Sequence, residues 1–338
     1  MSMATGIGSW PGDDMRTVLR LVRDLLGEVE SDGSRFGLPY LPELPARGPG
    51  ADLVGRSAGL LAEMPFDLQP SGWRLVDRPG RDHERTRALL RRDLDDLAEA
   101  FDGYVGPFKI SLAGPWTLSA HVRLARGERS VVDEGARRDV AQSLAEGMRT
   151  FIGDVAKVLP GAELTVQMDE PSLPSVLAGA LPTSSGFGRL RAVDREEVRR
   201  TLADVVTAAR EAGAAHIVMH SCAPDVPVPL LRDTGVDALA LDVTLLGEAA
   251  WEHVAEAMEA GVGLWAGVDV RTGQERQARD TVLAAIEQRW QRLGLPQARL
   301  DDLTLTPTCG LAGSTPADAL RVHRVLLDAA HELHWRTQ

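Results

Sequence analysis

The chain alternates short apolar runs with longer amphipathic stretches from end to end, and this alternation limits the folds open to it. Eight runs have the length of strands, and most are followed by a segment with the 3.6-residue periodicity of a helix. The predicted strands span residues 4–9, 36–41, 108–112, 164–168, 216–219, 238–242, 263–267 and 303–306. The predicted helices span residues 15–29, 84–100, 140–158, 196–211, 249–260, 280–293 and 316–333.

Repeated strand–helix units predict a parallel sheet covered by helices. Eight such units in 338 residues indicate an α/β protein of the (β/α)8 TIM barrel type, with a doubly wound open sheet as the competing fold. Residues 39–50 and 69–81 are rich in Pro and Gly, which predicts insertions in the early βα loops. No stretch has the composition of a linker, so we expect residues 1–338 to form one catalytic domain.

The composition excludes several classes of function. The chain has 37 basic and 49 acidic residues and a net charge of −12, which argues against nucleic acid or an anionic membrane surface as a partner. Two cysteines are too few for a disulfide scaffold, and no apolar stretch is long enough to span a membrane. Because the start of the chain also lacks the pattern of a signal peptide, we expect a cytoplasmic protein.

Both cysteines and one histidine lie at predicted strand ends. His220 and Cys222 follow the fifth strand and share one side of an extended chain, and Cys309 follows the eighth strand. Barrel enzymes carry their chemistry at these ends, and two thiolates with one imidazole suit a catalytic zinc ion. Asp242, after the sixth strand, is a candidate fourth ligand. The alternative is that each cysteine is simply a small core residue.

Other strand ends offer candidates for substrate binding. Asp169 follows the fourth strand and could hold a substrate ammonium group, or it could cap the next helix. Gly8 and Ser9 could present backbone N–H groups to a carboxylate, or they could form an ordinary βα turn. Glu43 lies among prolines after the second strand, where it is either an acid of the site or a solvated loop residue.

Taken in order, these strand-end motifs resemble the catalytic C-terminal half of cobalamin-independent methionine synthase. The resemblance spans nearly the whole chain and is most specific at the fourth, fifth and eighth strand ends. The motifs are Ile-Gly-Ser-Trp-Pro at 7–11, Leu-Ala-Gly-Pro-Trp-Thr at 112–117, Gln-Met-Asp-Glu-Pro at 167–171, His-Ser-Cys at 220–222 and Pro-Thr-Cys-Gly-Leu at 307–311. The family implies a (β/α)8 barrel, shared with uroporphyrinogen decarboxylase, and a Zn²⁺ ion that activates the homocysteine thiol.

Carried over by position, the resemblance implies a role for each of these residues. The implied roles are zinc binding by His220, Cys222, Cys309 and Asp242, binding of the homocysteine amino group by Asp169 and Glu43, and binding of its carboxylate by Gly8 and Ser9. Asp242 stands where the family has a glutamate ligand. Its side chain is one methylene shorter, so whether it reaches the metal is left open.

Two departures from the family concern the reaction itself. After the seventh strand the family has Asp-Ile-His, in which the histidine is thought to help proton transfer, whereas this chain has Asp269-Val270-Arg271. An arginine stays protonated, so Arg271 cannot shuttle a proton but could hold an anion. The chain also has no room for the family's N-terminal barrel, which helps to bind a polyglutamyl folate. It therefore resembles the short members, whose methyl donor can be a corrinoid protein.

The sequence thus predicts a zinc-dependent methyltransferase, with Asp269 and Arg271 as candidate catalytic residues. It would move a methyl group from a methyl-folate or a corrinoid protein to the thiol of homocysteine. Two other hypotheses stay open. One is a decarboxylase of the uroporphyrinogen type on the related barrel, which needs no metal. The other is a non-catalytic barrel that binds a metal or a thiol.

Overall fold

The computed structural model describes residues 1–270 and 274–338, in which parallel strands alternate with helices. The strands are β1 (Met3–Ala4), β2 (Phe66–Gln69), β3 (Gly72–Leu75), β4 (Val105–Ala113), β5 (Gly161–Asp169), β6 (His216–Ser221), β7 (Ala238–Asp242), β8 (Gly263–Val268) and β9 (Thr304–Pro307). The helices are α1 (Met15–Leu26), α2 (Leu53–Ala58), α3 (Arg81–Ala100), α4 (Pro115–His121), α5 (Glu134–Val158), α6 (Leu173–Leu177), α7 (Arg195–Glu211), α8 (Val228–Arg232), α9 (Glu248–Glu259), α10 (Glu275–Leu293) and α11 (Pro316–Thr337).

The parallel strands curl into a barrel. Seven of them form one sheet in the order β1-β9-β8-β7-β6-β5-β4, and every neighbouring pair is parallel. Residues 36–41 fill the position between β4 and β1. On one side the Ala4 N–H donates to the Phe36 carbonyl at 2.7 Å, and on the other the Leu41 N–H donates to the Lys109 carbonyl at 2.9 Å. The predicted α/β barrel is confirmed.

The first two predicted strands are the least regular. Strand β1 has two residues, although the prediction spans 4–9, and residues 36–41 pair only through isolated bridges. Pro39 has no N–H to donate to a ladder. The Gly6 backbone passes so close to Tyr40 that a Cβ at residue 6 would lie 2.2 Å from the Tyr40 hydroxyl oxygen. Crowding at this point therefore replaces a continuous ladder with single contacts.

Capping residues set the starts of the outer helices. Asp14, Asp133 and Asp194 accept backbone N–H groups from the first turns of α1, α5 and α7, and Thr315 does so for α11. Helix α5 therefore begins earlier than its predicted start at residue 140, because the cap precedes the apolar periodicity. No helix in the described part of the chain is both long enough and apolar enough to cross a membrane.

The predicted insertions lie in the connection between residues 41 and 105. This connection contains α2, an antiparallel hairpin of β2 and β3, and α3. The hairpin overlaps residues 69–81, which the sequence predicts as a loop. Gly72 turns the hairpin with a φ of 106°, a backbone conformation that favours glycine. Within this connection, the Ser57 hydroxyl of α2 accepts from the Ala113 N–H at 2.7 Å, which places α2 at the end of β4.

Candidate metal and substrate site

The ends of β6 and β9 bring the two cysteines together. Cys222 follows β6 and Cys309 lies in the turn after β9, and β7 and β8 separate these two strands in the sheet. The two free thiol sulfurs nevertheless lie 3.2 Å apart. The barrel closes a sequence separation of 87 residues because both strands end at the same mouth.

The contact between the two thiols lowers the pKa of one and raises the pKa of the other. The hydrogen bond from Cys222, together with nearby His220 and the Gly310 N–H, lowers the pKa of Cys309 to about 6. The same hydrogen bond and burial raise the pKa of Cys222 above its ordinary value. One sulfur of the pair is therefore the readily ionised partner, and the other holds the shared proton.

His220 has one ring nitrogen bonded and the other without a partner. Its Nδ1 lies 2.5 Å from Oδ1 of Asp169. Because a carboxylate accepts, Nδ1 carries the hydrogen, and in the neutral ring Nε2 is then the acceptor. This Nε2 atom is buried, and none of the described residues forms a hydrogen bond with it. A buried polar atom left without a partner costs free energy, which a ligand from outside the chain would offset.

These donors are chemically suited to zinc. Thiol sulfur and imidazole nitrogen are the ligands that Zn²⁺ prefers. Within residues 1–270 and 274–338, no set of three or more His, Cys, Asp or Glu side chains already meets the geometry of a metal site. Two Zn–S bonds of about 2.3 Å at a tetrahedral angle place the sulfurs about 3.8 Å apart. The residue types therefore suit a zinc ion, and its binding would increase the distance between the two sulfurs by about half an ångström.

Asp169 is held in place from two sides at the end of β5. Its Oδ1 accepts from Nε2 of Gln167 at 2.8 Å as well as from His220. The side chain does not cap the following helix, because α6 begins at Leu173 and its N-cap is Ser172. The structure therefore uses this buried carboxylate inside the mouth of the barrel.

Glu43 faces the same space as Asp169. Its N–H donates to the Gly8 carbonyl at 3.1 Å, and the Ser111 hydroxyl donates to its Oε1 at 3.4 Å. Only 3% of Glu43 is exposed, and this burial raises its pKa to about 7. The charge of Asp169 acts in the same direction, while the Arg56 guanidinium opposes it. Two buried carboxylates thus lie within electrostatic reach of each other, an arrangement that suits a cationic ligand group.

The Glu43→Gln variant tests this buried carboxylate. A folded-state pKa of about 7, above the ordinary 4.5, means that ionisation destabilises the fold, so stability is lost as the pH rises through about 7. We expect the difference in the free energy of unfolding, variant minus wild type, to increase by up to about 3 kcal/mol from pH 4.5 to pH 9. Urea unfolding at both pH values measures this gain. The exposed Glu259→Gln control should show none, and a pH-independent difference for Glu43→Gln would contradict the assignment.

Ser9 connects the first loop to the loop that carries Cys309. Its carbonyl accepts from the Leu311 N–H at 2.9 Å, and its hydroxyl accepts from the Ala312 N–H at 3.3 Å. A Cβ at Gly310 would lie 2.1 Å from the Ser9 hydroxyl oxygen and 3.2 Å from the Ser9 Cβ. The close packing of Gly310 on Ser9 therefore fixes the position of the neighbouring sulfur.

Two glycines of this loop offer a matched pair of variants. Gly310→Ala would push Ser9 and Cys309 apart, whereas a Cβ at Gly313 would meet no atom of residues 1–270 and 274–338 within 4 Å. We expect Gly310→Ala to lower zinc affinity by about tenfold and Gly313→Ala to leave it unchanged. Tenfold is the low end of the effect expected when a residue that positions a metal ligand is changed. Competition with a chelator measures the affinity. Equal zinc affinities in the two variants would show that the packing of Gly310 on Ser9 does not position the sulfur of Cys309.

Three further predicted residues follow neighbouring strands. Asp242 ends β7, and its Oδ1 accepts from the Thr244 N–H at 3.0 Å and the Thr244 hydroxyl at 2.6 Å, which caps the next turn. Asp269 follows β8 on the wall of a cavity of about 180 Å³ that Cys309 also lines. Arg271 lies outside the described residues. The metal role of Asp242 and the catalytic roles of Asp269 and Arg271 remain predictions.

Three buried polar side chains close to the site were not predicted from the sequence. Lys109 and Ser111 on β4 are buried, and so is Glu170 after β5. Glu170 accepts from the backbone N–H groups of Trp116 at 2.9 Å and Thr117 at 2.7 Å, which ties the start of α4 to the site. A signal was present for Lys109, which interrupts an apolar strand in a chain with only two lysines. The other two residues carry no comparable signal.

Comparisons with known proteins identify the family and support the fold. Residues 108–332 match the model of the family described as the catalytic domain of cobalamin-independent synthase. The structure of a B12-independent methionine synthase from Shewanella sp. W3-18-1, in complex with selenomethionine, is similar at 14% identity and a TM-score of 0.57, covering 98% of this chain and 97% of that one. A Listeria monocytogenes protein with the provisional description of vitamin-B12-independent methionine synthase is similar at 15% identity and a TM-score of 0.53, covering 98% of each chain. No curated protein matches.

Proposed function

Because the chain belongs to the family of the cobalamin-independent synthase catalytic domain, and is thus a methyltransferase of methionine synthesis, we propose that it methylates the homocysteine thiol with the help of zinc. The contact between the sulfurs of Cys222 and Cys309 carries this proposal, and the buried Nε2 of His220, which has no partner among the described residues, supports it. The selenomethionine bound by the Shewanella relative supports an amino-acid site. The donor would be a methyl-folate or a corrinoid protein, and the enzyme would work in the cytoplasm.

His220, Cys222 and Cys309 would hold the zinc ion, with Asp242 as a candidate fourth ligand. The ion would supply the Lewis acidity that makes a thiol with an ordinary pKa of about 8.5 nucleophilic at neutral pH. Two sulfur ligands donate more electron density than imidazoles would, which keeps the substrate sulfur reactive. The choice of cysteine at both strand ends thus has a chemical reason.

The amino-acid end of homocysteine would be held by groups of complementary charge. Asp169 and Glu43 would bind its ammonium group, and the backbone N–H groups of Gly8 and Ser9 would bind its carboxylate. A Cβ at residue 8 would lie 2.9 Å from the Ser111 hydroxyl oxygen, so glycine allows the first loop to pack closely on β4. With both ends held, the thiol would be aimed for in-line attack on the donor methyl group.

The residues after β8 would act on the methyl donor. Asp269 lies on the wall of the cavity that contains Cys309, on the same face as the proposed metal ligands. Arg271 stays protonated at neutral pH, so it would hold an anionic group of the donor and pass on no proton. This assignment accounts for an arginine where the family has a histidine.

Metal analysis of the purified protein, followed by a donor screen, tests the proposed function. We expect about one zinc ion per chain and demethylation of a donor that depends on homocysteine. The donors to compare are methyl-folate monoglutamate, methyl-folate polyglutamate and methylcobalamin. A metal-free protein that decarboxylates a uroporphyrinogen-type substrate would contradict the proposal, as would a zinc-bound protein that turns over none of these donors.

A further inference from the structure

Lys109 is buried at the centre of the barrel, where all three of its N–H donors are used. Its Nζ donates to the Gly6 carbonyl at 2.6 Å, the Ile7 carbonyl at 2.9 Å and Oε1 of Gln167 at 2.6 Å. It also lies 5.0 Å from the centre of the Tyr40 ring, within the range of a cation–π contact. One side chain thus joins strand β4 to the first loop and to β5.

The ammonium group determines which way the Gln167 amide points. An ammonium group has donors only, so it bonds the amide oxygen and forces the amide nitrogen to the opposite side. There the nitrogen donates to the Ile7 carbonyl at 2.8 Å and to Oδ1 of Asp169 at 2.8 Å. A reversed amide would place NH₂ against the ammonium and oxygen against the carboxylate, two repulsive contacts.

Asp169 transmits this orientation to His220. Its Oδ1 accepts from Gln167 on one side and from Nδ1 of His220, at 2.5 Å, on the other. In the neutral ring with Nδ1 protonated, Nε2 is the basic nitrogen, and it is the atom that is buried without a partner in the part of the chain that the structure describes. Hydrogen bonds therefore run without interruption from Lys109 to the ring of the histidine beside the cysteines.

The identity of the residue at 109 supports a specific use. Of the 37 basic residues only Lys109 and Lys157 are lysines. A tetrahedral ammonium group can donate to three converging acceptors, which a planar guanidinium group cannot do. Lys157 is exposed and paired with Asp154 at 2.8 Å, so it has no comparable environment.

We propose that Lys109 is a positioning residue that acts through Gln167 and Asp169 to hold His220 in its Nδ1-protonated tautomer, with Nε2 directed to a metal ion. The metal part of this inference rests on the proposed function, whereas the tautomer is a property of the chain alone. Outer partners that fix the tautomer of a histidine ligand typically affect metal affinity by about 10- to 100-fold.

The tautomer can be measured in zinc-free protein. Two-bond ¹H–¹⁵N spectra, with the His220 signals assigned through their loss in His220→Gln, show which ring nitrogen carries the hydrogen. We expect only the Nδ1-protonated form in the wild type and a clear Nε2-protonated fraction in Lys109→Met and in Gln167→Met. The double variant should add nothing, because both residues act in one chain of bonds. Lys157→Met is the matched control and should give the wild-type spectrum.

Zinc affinity provides the second measurement. We expect Lys109→Met and Gln167→Met each to bind zinc about 10- to 100-fold more weakly than the wild type, and Lys157→Met to bind it normally. An unchanged His220 tautomer in both variants would overturn the inference and leave the zinc proposal standing. A wild type that binds no zinc, with shifted tautomers in the variants, would overturn the proposed function alone. If Lys109→Met does not fold, Gln167→Met carries the test.

Discussion

Replacing Cys222 or Cys309 with serine should remove the bound zinc and lower the rate of methyl transfer to homocysteine by more than about 100-fold. This loss exceeds the one expected when a residue that only positions a metal ligand is removed. Serine keeps the size of the side chain but offers an alcohol in place of a thiolate, and an alcohol is a poor ligand for zinc at neutral pH. The sulfurs lie 3.2 Å apart, so each variant breaks the same pair. Metal content after dialysis and initial rates measure the two losses.

Thr308→Ser serves as the control for this experiment. It changes the residue next to Cys309 by one methyl group and should retain both zinc and activity. Both serine variants must lose metal and rate together, because the account gives the two sulfurs a single role. Full zinc in either purified variant would show that the ligands are other residues.

Changing Asp169 to asparagine should raise the KM for homocysteine by about 10- to 100-fold while zinc is retained. The substitution removes the negative charge proposed to pair with the substrate ammonium group, and a charged hydrogen bond is worth about 1.5–3 kcal/mol. Zinc should stay because the asparagine oxygen can still accept from Nδ1 of His220 and from Gln167, the two donors at Oδ1 of Asp169. Steady-state kinetics and metal content together measure the effect.

A thiol substrate without the amino group separates the two roles of Asp169. Wild type and Asp169→Asn should methylate 4-mercaptobutyrate at similar rates, because that substrate has no ammonium group to bind. If both thiols lose the same factor in rate, the carboxylate acts through His220 and not through substrate binding. An unchanged KM for homocysteine would show that Asp169 does not bind the substrate ammonium group.

The convergence of Cys222 and Cys309 could be predicted from the sequence because it depends on topology alone. Parallel strands of a barrel end at one mouth, so residues that directly follow two such strands approach each other whatever lies between them. The same reasoning places Asp169 and His220 on the neighbouring strands β5 and β6. To predict this approach, only the positions of the strands along the chain are needed, and the hydrophobic periodicity of the sequence indicates them.

The polar chain beneath the site could not be predicted in the same way. Alternation along β4 and β5 shows which side of a strand a residue faces, but it does not show that Lys109 meets Gln167 across the interior, 58 positions away. The capping of the turn by Asp242 likewise depends on one local conformation. The hairpin at Gly72 was hidden because Pro and Gly are equally typical of loops and of hairpin turns.

X-ray absorption at the zinc edge of the purified, zinc-loaded protein decides whether these residues form the metal centre. We expect two sulfur neighbours at about 2.3 Å and one imidazole nitrogen at about 2.0–2.1 Å, with one sulfur lost in each of Cys222→Ser and Cys309→Ser. A first shell of nitrogen and oxygen alone would contradict it.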